Sequence, residues 1–222
     1  MNRKRIICFG DSNTCGYNPA TDSRYDEDSR WTMILQEKLG SKYLVLEEGQ
    51  NGRTIACPDP WEWGTKSGLD YILPMVESHN PFDLLIIMLG TNDLKIKFGL
   101  PAGDIAGSLQ NMLIRTISYL QYLCKMPEPK ILIVSPPWLG EEVTEGIFSE
   151  FFNEDGVEKS RKLAYWYQLV AQQFGCEFLD TAETVTGLSP IDHLHLSPEG
   201  HQQMAETMEK KVRQILEEQT AQ

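Results

Sequence analysis

The sequence predicts an α/β protein, a single-domain three-layer α/β/α fold built on a doubly wound, flavodoxin-like parallel sheet. Two observations predict it. Short apolar runs alternate with longer helical patterns from one end of the chain to the other, which implies parallel strands with helices on both faces. Each polar cluster of interest also follows an apolar run directly, as expected where strand ends carry a site at the carboxyl edge of such a sheet. The 222 residues fit one domain, since single α/β domains reach roughly 250 residues, so residues 1–222 are read as one unit. No internal repeat, low-complexity tract or linker interrupts them.

Taken in order, residues 6–9 read as a buried strand. Residues 31–39 read as a helix, with Trp31, Ile34, Leu35 and Leu39 on one face and Gly40 at its end. A second strand spans 43–46. A helix over 68–78 is expected to kink or stop early at Pro74. Residues 84–89 form the strongest strand, 105–123 a long amphipathic helix, and 131–134 a strand stopped by Pro136-Pro137. A helix over 157–174 ends at Gly175, and a short strand covers 177–179. The final helix, 198–218, starts with Ser197 as N-cap and Pro198 at the first position. Two irregular stretches, 53–67 and 138–156, are long enough to be functional.

Composition excludes several classes. Hydrophobic residues make up 41% and charged residues 23%, ordinary globular usage, so disorder is not expected. A net charge of -12 supplies no basic footprint for nucleic acid and would be repelled by anionic lipid. No apolar stretch approaches the ~20 residues of a membrane span. The basic start, Asn2 to Arg5, precedes only four apolar residues, too few for a secretory leader. Cys8, Cys15, Cys57, Cys124 and Cys176 are odd in number and contain no C-x-x-C pair, which argues against a disulfide framework or zinc knuckle. Reduced thiols suit a cytoplasmic location.

Four polar motifs remain. Gly10-Asp11-Ser12-Asn13-Thr14 follows the first strand and could present a serine hydroxyl at the top of the sheet; alone it is also an ordinary capped turn. Gln50-Asn51-Gly52-Arg53 follows the second strand, where glycine permits close backbone approach or a simple Asn-Gly turn. Gly90-Thr91-Asn92-Asp93 follows the strongest strand, and the Asn92 amide could donate to an oxyanion or merely cap a turn. Asp192-His193-Leu194-His195 precedes the last helix, and a carboxylate three residues from an imidazole can fix its tautomer. Together they supply an oxygen nucleophile, a base, its orienter and oxyanion donors, the set that acyl transfer needs.

These blocks, in this order, resemble the signature blocks of the SGNH (GDSL-type) hydrolases, and the resemblance covers nearly the whole chain. The run from Glu47 to Thr54 resembles the arylesterase and acyltransferase branch. The resemblance implies Ser12 as nucleophile, His195 as general base with His193 as its rival, and Asp192 as orienter. It implies an oxyanion hole from the N–H groups of Ser12 and Gly52 and the Asn92 side chain, with no metal or organic cofactor. The partner it implies is a small-molecule ester, hydrolysed through an acyl-enzyme; acyl transfer to an alcohol or peroxide is the alternative. Asn13 stands where many members carry leucine, which leaves lipase-type specificity open. A non-catalytic binding module would be expected to lack one of these groups, and a phosphate-binding flavodoxin-like protein would need a Gly-rich cradle that the first loop lacks. Asp11, Trp61 and Trp138 are the candidate pocket residues, with Trp63, Phe148, Phe151 and Phe152 nearby in sequence. The pocket is expected to be confined, to take short acyl chains, and to be completed by a second copy in a homo-oligomer. Arg53 is expected to pair with Asp11 or Glu48.

Overall fold

The computed structural model describes residues 3–123 and 129–217. Asn2, Cys124 and Glu218, named above, lie outside the described residues. Five parallel strands form the sheet: β1 (Lys4–Gly10), β4 (Tyr43–Gly49), β5 (Leu84–Met88), β6 (Lys130–Ser135) and β7 (Glu177–Asp180). They lie in the order β4-β1-β5-β6-β7, the flavodoxin-like order, with β1 between its two reversed neighbours. Between β1 and β4 come the single turn α1 (Ser12–Cys15), a two-strand hairpin of β2 (Tyr17–Asn18) and β3 (Ser23–Arg24), and α2 (Trp31–Leu39). The hairpin was not foreseeable from the pattern, because two residues per strand carry no period. The remaining helices are α3 (Gly68–His79), α4 (Ala102–Ser118), α5 (Glu154–Ser160), α6 (Leu163–Phe174) and α7 (Pro198–Glu217).

The strands are apolar on both faces because both faces are covered. Ile7, Phe9, Leu85, Ile87, Ile131 and Ile133 pack under α3, α4 and α6. Their alternates, Ile6, Cys8, Leu84, Ile86, Leu132 and Val134, pack under α2 and α7. The period-two switch along each strand therefore builds two cores from one sheet.

Several elements depart from the sequence reading. β4 runs to Gly49 instead of stopping at Leu46, with Glu47 and Glu48 opposite Cys8 and Phe9. These carboxylates survive in an edge strand because they are partnered. Glu47 takes Arg30 in a two-pronged pair, 3.0 Å at each prong, and also Thr32 and Arg24. Glu48 takes His79 at 2.6 Å. Pro74 does not stop α3, which continues to His79; Ile72, Met75 and Val76 are buried against the sheet, and this packing offsets the lost backbone bond. The expected 105–123 helix starts at Ala102 and gives way to a π-helical turn over Tyr119–Leu123. The expected 157–174 helix is two helices. The Ser160 hydroxyl donates to Val157 O at 2.6 Å and accepts from Leu139 N at 3.2 Å, local bonds that compete with helix continuation.

Arg30 is buried, and among the described residues its guanidinium otherwise donates only to the Tyr25 carbonyl. Glu47→Ala is therefore expected to cost about 3 kcal/mol in a urea melt, because it leaves a buried charge without its carboxylate. Glu158→Ala, which breaks the exposed pair with Lys162, should change the same melt by less than about 0.5 kcal/mol.

Candidate active site

The four motifs meet at the carboxyl edge of the sheet, where β1 lies between β4 and β5. Asp11 caps α1 by accepting from Asn13 N at 3.0 Å, so the chain turns sharply after β1 and leaves Ser12 as the first helical residue. At the other end of the chain, Asp192 Oδ1 accepts from the N–H groups of Leu194 (3.1 Å) and His195 (3.0 Å). That tight turn aims the imidazole back at its own carboxylate. His195 Nδ1 lies 2.7 Å from Asp192 Oδ2, and Nε2 lies 2.9 Å from Ser12 Oγ. An ionised carboxylate only accepts, so Nδ1 carries the proton and Nε2 presents its lone pair to the serine hydroxyl. Burial acts to raise the Asp192 carboxyl, but the hydrogen bond and charge of His195 and the two backbone N–H groups hold it below the usual range.

Asn13 joins the two loops. Its Oδ1 accepts from Leu196 N at 2.9 Å and its Nδ2 donates to Leu194 O at 3.4 Å. The motif residue that departs from leucine is thus a staple between the serine loop and the histidine loop, a role that sequence reading missed. His193 does not reach the serine: it has φ 54°, and its ring faces Glu142 at 3.6 Å.

Gly52 adopts φ 77°, which disfavours any side chain. The Asn92 Nδ2 donates to Arg53 O at 3.1 Å, which leaves its second N–H for a ligand. Arg53 is buried across the Phe9 ring, 4.4 Å from its centroid, and its guanidinium donates to the carbonyls of Gly10 (2.8 Å) and Glu48. Its Nε also donates to Gln50 Oε1 at 3.3 Å, so its hydrogen bonds go to carbonyl oxygens, and the expected partners Glu48 and Asp11 act on it through charge alone. Asp93 is fully buried, and both its oxygens accept from Ile55 N, at 3.1 and 3.0 Å. Asn92 and Asp93 together clamp the loop that carries Gly52.

A cleft of about 170 Å³ opens over Ser12. Tyr17, Phe148, Phe151, Phe152 and Leu194 line it together with His195, and Asn51, Glu62 and Lys95 together with Gly52 and Asn92. The expected pocket residues Asp11, Trp61 and Trp138 are not in this lining. Asp11 is 2% exposed beneath Ser12, whereas Trp61 is 78% exposed. Lys97 lies over the Trp61 ring at 5.6 Å and Arg161 over the Trp138 ring at 6.0 Å. Asp59, paired with Lys95 (3.6 Å) and Lys97 (2.5 Å), draws the 53–67 loop inward at its charged residues and leaves the tryptophans outside. The aromatic wall is Phe148 and Tyr17, whose rings lie 5.7 and 4.6 Å from the His195 ring. Among the described residues no group of three or more His, Cys, Asp or Glu is placed to hold a metal ion, and no helix is long and apolar enough to cross a membrane.

A parallel sheet bearing an aligned serine, histidine and carboxylate at its carboxyl edge can perform nucleophilic acyl transfer. Comparison with known proteins narrows this class. The model of the GDSL-like lipase/acylhydrolase family matches residues 8–203. The chain belongs to the GDSL-like lipase/acylhydrolase family, and carboxylic ester hydrolysis is the activity this membership carries. Among solved structures, a carbohydrate acetylesterase family member from Sinorhizobium meliloti is 34% identical with a TM-score of 0.88, over 96% of this chain and 99% of its own. The aryl esterase of M. smegmatis is 32% identical with a TM-score of 0.84, over 96% and 100%. A lipase/acylhydrolase from Enterococcus faecalis, 17% identical with a TM-score of 0.71 over 95% of each chain, shares the fold. No curated protein sequence matched significantly.

Burial raises two carboxyls beneath the site, Asp11 to about 6 and Asp93 to about 7. For Asp93 the folded value exceeds the unfolded one. The native state then keeps a proton that the unfolded chain releases, and stability from this group is lost as pH rises through the ordinary carboxylate range to about 7. Asp93→Asn keeps an acceptor for Ile55 N and abolishes that titration. Its melting temperature relative to wild type should be higher at pH 8 than at pH 5; a difference independent of pH would refute a raised Asp93.

Proposed function

We propose that this chain is a serine esterase that cleaves small carboxylic esters, acetyl esters foremost, through an acyl-enzyme on Ser12. The observation that carries the reading is the 2.9 Å contact between His195 Nε2 and Ser12 Oγ on a ring anchored by buried Asp192. In the first step Ser12 Oγ bonds to the ester carbonyl carbon, its proton passes to His195 Nε2, and the carbonyl π pair moves to oxygen. That oxyanion faces the N–H groups of Ser12 and Gly52 and the free N–H of Asn92, donors set before charge develops. Collapse breaks the bond to the alcohol oxygen, which takes the proton from Nε2. A water then attacks the acyl carbon, gives its proton to His195, and the carboxylic acid leaves as Ser12 recovers its proton. The alcohol leaves with the proton that Ser12 gave up, Ser12 is restored with one from water, and no redox partner is required.

The cleft of about 170 Å³ is small beside the 300–1,000 Å³ of drug-sized sites, which supports short acyl chains. The acetylesterase and aryl esterase named above support the same substrate size for this chain. A second reading, acyl transfer to an alcohol or peroxide, is favoured by the rings of Tyr17 and Phe148 beside His195, because an apolar surface there disfavours water as the second nucleophile. Product ratios with added alcohol separate the two. Cys8, Cys15, Cys57 and Cys176 are unpaired, which supports a reducing compartment such as the cytoplasm.

Ser12→Ala is expected to lower kcat by about 10⁴- to 10⁶-fold and to abolish labelling by a fluorophosphonate probe. His195→Ala should match it, and His193→Ala should stay near wild type; labelling that persists in Ser12→Ala overturns the assignment.

Asn92→Ala removes one oxyanion donor. It should cost about 10²- to 10³-fold in kcat with little change in KM. An effect confined to KM would place Asn92 in ground-state binding instead.

A further inference from the structure

We infer that Glu62, held in place by Lys95, sets the length of the acyl chain by walling off the acyl side of the cleft. The inference rests on the serine-esterase reading above. The chemistry divides the cleft in two. The leaving oxygen must lie beside His195 Nε2, because it takes its proton from there, and His195 is flanked by Tyr17 and Phe148. The aromatic side is therefore the alcohol's side. The carbonyl oxygen points at Gly52 and Asn92. The acyl chain is left with the rest of the lining, whose polar members are Asn51, Glu62 and Lys95.

Glu62 stands over the oxyanion residue. A Cβ placed on Gly52 would lie 2.1 Å from Glu62 Oε2, so the carboxylate fills the space next to that backbone. It is not a wandering surface group. Lys95, whose side chain is 7% exposed, contacts Glu62 Oε1, and Lys66 lies 3.6 Å from Oε2. Lys95 is in turn held by Asp59 at 3.6 Å, and Lys66 donates to Asn51 O at 2.7 Å. A bare carboxylate here would oppose a developing oxyanion; two ammonium groups offset it. An acetyl group ends before this wall. Each further methylene must press against this ion pair, where it gains no apolar contact and cuts the charges off further from solvent.

The test is kcat/KM for p-nitrophenyl acetate, butyrate and octanoate with wild type, Glu62→Ala and Glu62→Asp, alongside ethyl and phenyl acetate. Removal of the carboxylate should raise the octanoate-to-acetate ratio by about tenfold or more, the scale on which pockets discriminate methylenes. Glu62→Asp keeps the charge and the pairing with lysine, so it should fold as wild type does. It shortens the wall by one carbon, and its butyrate-to-acetate ratio should rise ahead of octanoate. Acyl ratios within twofold of wild type in both variants would overturn the inference. So would a variant that reorders ethyl against phenyl acetate while its acyl ratios stay fixed, because Glu62 would then face the alcohol. A wild type that cleaves no ester would sink the esterase reading and this inference with it, whereas an active wild type with unresponsive variants sinks this inference alone.

Discussion

The site depends on the attachment of one loop to another 183 residues away. Ser12 follows β1, the second strand from one edge of the sheet, and His195 arrives on a turn after β7 at the opposite edge. Parallel strands cannot join these segments by ladder bonds. The Asn13 amide does so instead, accepting from Leu196 N and donating to Leu194 O on either side of His195. Trp31 extends the attachment, since its ring N–H donates to Asn13 O at 3.0 Å and its backbone N–H to buried His201 at 3.3 Å. Burial holds His201 down near 4, so it stays neutral and able to accept across the neutral range. The residue next to the serine thus governs alignment, a task for which leucine has no polar atoms.

Charge is distributed around this attachment in a graded way. Asp192 is fully buried yet ionises easily because three hydrogens point at it. For Asp11 and Asp93 burial outweighs the hydrogen bonds and positive charges near them, and both are raised. The carboxyl held below its usual range is thereby the one that touches His195, and the two raised ones hold protons more tightly. Environment separates three aspartates by role within one site.

Much of the fold was legible because continuous apolar runs such as 84–88 admit few alternatives to a strand covered on both faces. The hidden parts share a cause: their partners are distant in sequence. Glu47 and Glu48 mask the end of β4 until Arg30 and His79 are known to meet them. Three polar motifs of the site could be read because each stands directly after a strand, and the fourth because it immediately precedes the last helix. The pocket could not. Tryptophan announces apolar area but not direction, and Trp61 turns outward while Phe148 turns in. The Glu62–Lys95 contact spans 33 residues and two loops, so neither residue type nor spacing signals it. Ser160 shows the same limit on a local scale, since its bond to Leu139 N is invisible to helical periodicity.

The order of the strands has a consequence for synthesis on the ribosome. Ser12 is among the first residues made, and β1 must wait for β4 and β5 before it is flanked on both sides. The residues that would activate this serine, Asp192 and His195, emerge only when nearly nine-tenths of the chain has been translated. Until then the hydroxyl is an ordinary alcohol with no base near it. A nascent chain therefore cannot acylate itself on a passing ester. With the roles proposed for Ser12, Asp192 and His195, reactivity appears in one late event, when the last turn docks onto Asn13.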